Sequence, residues 1–227
     1  MIEIRHRSTG DVLKTVEALT LSNADLSGID LDGAILNNVD LRWANLSRTT
    51  LRGAHLIGVD LLGANLNYTN LSETCIVKTR MVGACLFGAE MVCAQLYNLD
   101  VSFACLRKVH LFDAELIDVN LSNTDLREAN FVCARLRDVD LSDTDLSDAG
   151  LARANLTRVN MSGAYLRGTW FGDVMGRGPE GIATFKHVDL TNIDLDEARL
   201  PNDVMKEWKE RTKPEGSTNP LDQSAES

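Results

Sequence analysis

Long apolar stretches are missing from this chain: no run approaches the ~20 consecutive apolar residues that a bilayer-spanning helix needs. The opening Met1-Ile2-Glu3-Ile4-Arg5-His6-Arg7 also lacks the apolar core of a secretory signal, so a cytoplasmic location is expected. Among the five cysteines there is no Cys-x-x-Cys spacing, and no histidine stands at ligand spacing from them, which argues against a zinc site. His6, His55, His110 and His187 are scattered, and no Ser/His/Asp or Cys/His arrangement can be assembled around them. A non-catalytic protein without cofactor or metal is expected. Basic residues are in deficit, 23 Lys and Arg against 33 Asp and Glu, for a net charge of −10. That balance disfavours nucleic acid and anionic membranes as direct partners. Gly176, Gly178 and Gly181 spell G-x-G-x-x-G, but this fingerprint binds dinucleotides only between a strand and a helix. Pro179 inside it and the periodic flanks do not supply that setting.

What the chain does have is a period. From Leu21 to Phe171 every fifth residue is apolar, thirty-one positions in succession, through Ile76, Met81, Met91, Val101, Phe131, Met161 and Leu166. Two residues before each of these centres sits a small or β-branched residue, as at Ala24, Ile29, Ala34, Val39, Ala44 and Thr49. A strict period of five fits neither the 3.6 of a helix nor the 2.0 of a strand, so it marks an architectural repeat. Two inward residues in every five must fill a narrow axis, and a large one alternating with a small one packs it. Such an axis leaves no room for rings, in keeping with an aromatic content of 5%. Asp or Asn just before the centre suits a repeated corner, because its side chain can accept from nearby backbone amides. Each fully buried leucine contributes about 1.5–3 kcal/mol.

The unit reads Ala24-Asp25-Leu26-Ser27-Gly28 and again Ala154-Asn155-Leu156-Thr157-Arg158. It resembles the pentapeptide-repeat family, and the resemblance extends over residues 19–200. It implies an all-β protein, a right-handed quadrilateral parallel β-helix with four pentapeptides to a coil. In that solenoid the centre and the small residue point inward and the other three positions face solvent. A single domain is expected, its stability close to a sum of coil and neighbour terms.

Solenoid ends must be covered, or chains stack on one another. Residues 2–7 alternate and a turn follows at Ser8-Thr9-Gly10-Asp11, so residues 1–18 are expected to form a β-hairpin cap. Pro201-Asn202-Asp203 opens a short capping helix over 201–212, with Val204, Met205 and Trp208 on one side. In some relatives the C-terminal element makes a head-to-head dimer, so these residues are read as a cap or a dimer contact, in a monomer or a homodimer. Residues 213–227 are polar and rich in Pro, Gly and Ser, and disorder is expected there. The register breaks after Phe171 and resumes at Phe185. Residues 172–181 therefore leave the coil as a loop, a place where rigid scaffolds often carry function.

With twenty residues to a coil the outside can be read as columns. Ile57, Val77, Tyr97 and Ile117 fill one outward column on four successive coils; Val92, Phe112 and Val132 fill another on the neighbouring face. They predict an apolar patch near mid-length, the usual mark of an interaction site on a soluble protein, against strand-like stacking down a ladder. Trp43, Leu62, Val82 and Phe103 lie more thinly on a third face. Acid gathers at Asp125, Glu128, Asp140, Asp143, Asp145 and Asp148, on two adjoining faces, with Asp138 near a corner. Cys85 and Cys105 take one position on successive coils, about 4.8 Å apart at strand spacing, which suits either a disulfide or two stacked thiols.

Two functions follow. The first is a non-catalytic scaffold whose apolar columns dock a protein partner. The second comes from the resemblance alone: some members of the family, the fluoroquinolone-resistance proteins, are acidic DNA mimics of similar size that bind DNA gyrase or topoisomerase IV. A bacterial type II topoisomerase would then be the partner, met by the Asp125–Asp148 patch.

Overall fold

One repeated turn converts the period of five into structure. The Ala24 amide donates to the Leu21 carbonyl at 3.1 Å, and Asn23 between them holds a left-handed φ of 59°. A positive φ at the third residue alone is the mark of a type II turn, and the equivalent residues Arg48, Tyr68, Lys108 and Glu128 supply it in later coils. After four corners the chain returns above itself. Asp25 pairs in parallel with Asn45, Asn45 with Asn65, Asn65 with Cys85 and Cys85 with Cys105. The result is the quadrilateral β-helix expected from the repeat. It is seen in a computed structural model that describes residues 1–172, 183–191, 193, 198, 205 and 206.

The four faces are numbered here by their first centres, Leu21, Leu26, Leu31 and Leu36. The fourth face carries the longest strands. On it β3 (Ala34–Ile35), β4 (His55–Ile57), β5 (Cys75–Val77) and β6 (Gln95–Asp100) stack in order. Above them come β7 (Glu115–Asn120), β8 (Arg135–Arg137), β9 (Asn155–Thr157) and β10 (Thr184–Lys186). All of these pairs are parallel. At the open lower end β1 (Ile2–His6) and β2 (Val12–Val16) form an antiparallel hairpin. Arg5 and His6 of β1 pair with Ile35 and Ala34 of β3, and Ile4 is buried with the core. At the upper end Thr184 lies opposite Asn155, nine residues beyond the twenty of a regular coil. The expected loop lies outside the described residues except for Gly172, as do Val204, Trp208 and the tail over 213–227. Of the expected helix only Met205 and Lys206 are described, both helical.

Inside, the centres from Leu21 to Phe171 are all buried, with the alanines Ala44, Ala64, Ala84 and Ala104 between them. Threonine in that small-residue position would bury a hydroxyl, which is costly unless it is bonded. Thr49, Thr69 and Thr169 solve this by donating to Leu26, Leu46 and Leu146 carbonyls of the coil below at 2.7–2.8 Å. The corner entering the first face takes larger residues, Val39, Val59, Leu99, Val119 and Val139. There β6 and β7 run on for six residues instead of closing the tight turn. Where Met81, Met91 and Val101 replace leucine as centres, an apolar void of about 10 Å³ opens between them, Leu96, Leu106 and Val119. Without a polar group in its lining it offers a water no partner, and such voids stay dry.

Candidate functional site

With the interior largely apolar, most of the differences in charge and polarity between coils lie on the outside. The residue before each centre is largely committed to the fold. Asp25 Oδ1 accepts from the Ser27 amide at 3.1 Å, Asn65 Oδ1 from Asn67 and Asp140 Oδ1 from Ser142. The asparagines also bond down their column, Asn45 Nδ2 to Asp25 Oδ1 and Asn65 Nδ2 to Asn45 Oδ1 at 3.1 Å each. These are the corner bonds anticipated from Asp and Asn at that position, and they tie much of the acid to structure.

The acidic cluster divides in two. Arg127 clasps Asp125 through two bonds of 2.8 and 2.6 Å and reaches Asp145 at 3.6 Å. That guanidinium holds the Asp125 carboxyl below the usual carboxylate range. Glu128 is held down in the same way by Arg107 and then Lys108, and Asp138 by Arg158. Asp140, Asp143 and Asp148 have no ion pair among the described residues. Asp143 and Asp148 stand at corners with φ of 54° and 60°. Each lies over a glycine of the next coil, so that a Cβ on Gly163 or Gly168 would sit 2.3 Å from a carboxylate oxygen. Free negative charge is thus narrower than the sequence cluster: a strip along the first face and the corner after the second.

The apolar columns are in register as read. Ile57 pairs with Val77, Val77 with Tyr97, and Tyr97 with Ile117 on β4 to β7; all four are half-buried. Above Ile117 the column turns cationic and polar, through Arg137 and Thr157 to Lys186. The Tyr97 hydroxyl donates to Glu115 at 2.5 Å; burial first, and this bond second, push its phenol up to about 12. Val92 and Val132 are half-buried and Phe112 is 42% exposed on the third face. A corner of Cys93, Asp113 and Cys133 and an outward column of Gln95, Glu115 and Arg135 stand between the two stripes. They form two rails either side of an edge rather than one sheet of apolar surface.

The largest exposed rings lie elsewhere. Trp43 and Phe103 are 60% and 66% exposed at the corner after the first face, with Leu62 and Val82 half-buried beside them. Tyr68, 54% exposed, meets Phe87 edge-on at 5.3 Å between centroids. Column reading missed this pair because the rings join two different columns, nineteen residues apart. The signal was available in the corner geometry: a bulky corner residue leans over the residue twenty later. Glycine stands there, Gly63 for Trp43 and Gly88 for Tyr68, and a Cβ on Gly63 would lie 2.0 Å from the indole.

Among the described residues no cluster of three His, Cys, Asp or Glu could hold a metal ion. No helix among them is long and apolar enough to cross a membrane.

This geometry defines a parallel β-solenoid with a five-residue unit, closed below by a hairpin and differentiated chiefly along its outer columns. The sequence matches the family of pentapeptide repeats in eight copies, between residues 19–53 and 134–172. The chain belongs to that family and is a pentapeptide-repeat scaffold. Among solved structures it is similar to HetL, a pentapeptide-repeat protein involved in heterocyst differentiation regulation from the cyanobacterium Nostoc sp. strain PCC 7120. The identity is 26% over 78% of this chain and 77% of that one, with a TM-score of 0.42. It is similar also to trypsin-treated QnrB1, a plasmid-mediated fluoroquinolone resistance protein, at 20% identity over 82% and 94% of the two chains and a TM-score of 0.38. Rfr23 from the cyanobacterium Cyanothece 51142 matches at 22% identity over 69% and 63%, with a TM-score of 0.26. No curated protein matches the chain.

Proposed function

We propose that the chain is a non-catalytic interaction scaffold that binds a protein partner through its apolar rails. The observation that carries this reading is the registered column Ile57, Val77, Tyr97 and Ile117 on four successive strands. Side chains in such a column gain a few tenths to 1 kcal/mol each from their cross-strand neighbours. That gain does not require them to be apolar on a face whose other columns are polar. Phe112 and the valines beside it add a second rail that a partner could straddle at the intervening corner. The double variant Tyr97→Lys with Phe112→Lys is expected to keep its thermal melt within a few degrees. It should lose at least tenfold in capture of the cognate partner, measured by quantitative pull-down from the source lysate and then by calorimetry. Unchanged capture by a folded double variant would remove the rails as the docking surface.

A second reading has one observation in its favour, the strip of Asp140, Asp143 and Asp148, which has no ion pair among the described residues. In it the strip stands in for DNA phosphates on a type II topoisomerase. Duplex DNA carries one charge per about 1.7 Å of axis, and the arginines on Asp125, Glu128 and Asp138 leave this face well short of that density. Inhibition of gyrase supercoiling, relieved by Asp140→Lys with Asp143→Lys, would support mimicry. No effect at tens of micromolar would leave the rails alone.

A further inference from the structure

Cys85 and Cys105 occupy the same outward position on successive coils of the second face and pair in register. Both thiols are free, Cys85 exposed and Cys105 half-buried. The coils are joined at this point by Leu86 N to Cys105 O at 2.7 Å and Cys105 N to Ala84 O at 3.0 Å. Neighbouring parallel strands run about 4.8 Å apart, inside the Cα separation that a disulfide spans. No other cysteine is placed in this way. Cys75 lies between His55 and Gln95 on the fourth face. Cys93 has Asp113 as its column neighbour, with Sγ 4.0 Å from Oδ2, and that residue separates it from Cys133.

One further feature singles out this column. The centres that follow the two cysteines, Leu86 and Leu106, both line the interior void. The thiols thus straddle an incompletely filled layer of the core, where a covalent staple between coils has something to hold.

We propose that Cys85 and Cys105 form a reversible thiol–disulfide pair, oxidised by a small disulfide of the glutathione type, that clips the two coils across the void. The exposed Cys85 thiolate attacks one sulfur of glutathione disulfide and releases one glutathione thiolate. Cys105 then attacks the Cys85 sulfur of the mixed disulfide and releases the second. The two protons lost by the cysteines are recovered on the two glutathione thiols, so the protein is oxidised by two electrons and the disulfide is reduced by two. The clip closes a loop of one coil, and such a cross-link acts by restricting the unfolded chain.

The test is incubation of the full chain in glutathione redox buffers, followed by acid quench, alkylation and mass spectrometry. Cleavage at Glu90, between the two cysteines, with fragment-ion sequencing assigns the bond. Expected are a Cys85–Cys105 cross-link, the loss of two of the five thiols, reversal by dithiothreitol and a Tm raised by several degrees. Hydrogen exchange should slow across residues 81–106. Cys85→Ser and Cys105→Ser should each abolish the cross-link and leave a mixed disulfide on the remaining cysteine. Wild-type protein that accumulates only mixed disulfides, or that first loses Cys93 or Cys133, overturns the proposal. So does a cross-link that lowers Tm, since the coils would then have been pulled from register to make it.

Discussion

Aspartate in place of Leu56 is expected to cost more than about 5 kcal/mol, enough to leave most of the chain without a cooperative melt. Leu56 is fully buried, and its neighbours along the axis are other centres with the alanines, valine and threonines of the small inward positions. The donors in that space are already spent: backbone amides on the ladder between coils, as in Leu36 N to His55 O at 3.0 Å and Cys75 N to Ala54 O at 3.1 Å, and the inward hydroxyls on carbonyls, as in Thr79 to Leu56 O at 2.9 Å. A carboxylate there is neither paired nor hydrated, the case in which burial is most expensive. Far-ultraviolet circular dichroism against temperature would read the loss. The matched control is Asn98→Asp, at an exposed corner whose column already carries Asp118 and Asp138, with a change within about 0.5 kcal/mol. If both variants melt alike, the axis is wetter than its packing implies.

Phe131→Ala comes next in size, at about 3–5 kcal/mol. This ring is the bulkiest centre in mid-stack and is fully buried. Its coil is bonded upward through Phe131 N to Gly150 O at 2.7 Å and below through Leu111 N to Asn130 O at 2.8 Å. Those bonds fix the coil height near strand spacing, so neighbouring centres cannot close in on the space an alanine leaves. Phe131→Leu keeps most of the volume and restores the usual centre; its cost should stay under about 1.5 kcal/mol. Urea unfolding midpoints of the two variants would separate them. Equal losses would show that ring shape, not filled volume, holds this layer.

The fold could be read from the sequence because its rule is local and repeats without a slip. Any one leucine says little, but Leu21 to Phe171 at a fixed step excludes helix and strand together, and the alanines two residues earlier show which way the coil faces. Asp25 and Asn65 were legible for the same reason: their role depends only on the amide two residues on. The outer surface was harder because it depends on where long side chains lean. Arg127 turning back on Asp125 and Arg158 reaching Asp138 one coil below remove charges that a count of carboxylates keeps. Tyr68 meeting Phe87 was invisible to columns of twenty, since rings at corners tilt toward the next coil. The two apolar columns were placed in the right register, but Cys93, Asp113 and Glu115 between them are what turn a patch into two rails. The void around Val101 also escaped notice; Met81 and Met91 match leucine in volume and only Val101 is smaller, so nothing in the run of apolar centres marks the gap.

The ladder bonds run along the axis of the rod, and that direction decides how it carries a mechanical load. Tension between its ends passes through every coil interface in series, so the rod is no stronger than its weakest layer. A force across the rod is shared by the covalent chain of whole coils and meets far greater stiffness. Stretched end to end, the solenoid should therefore part first near the layer of Met81, Met91 and Val101, and peel outward from there one coil at a time. A partner gripping the rails on β4 to β7 would bridge that same layer and splint it.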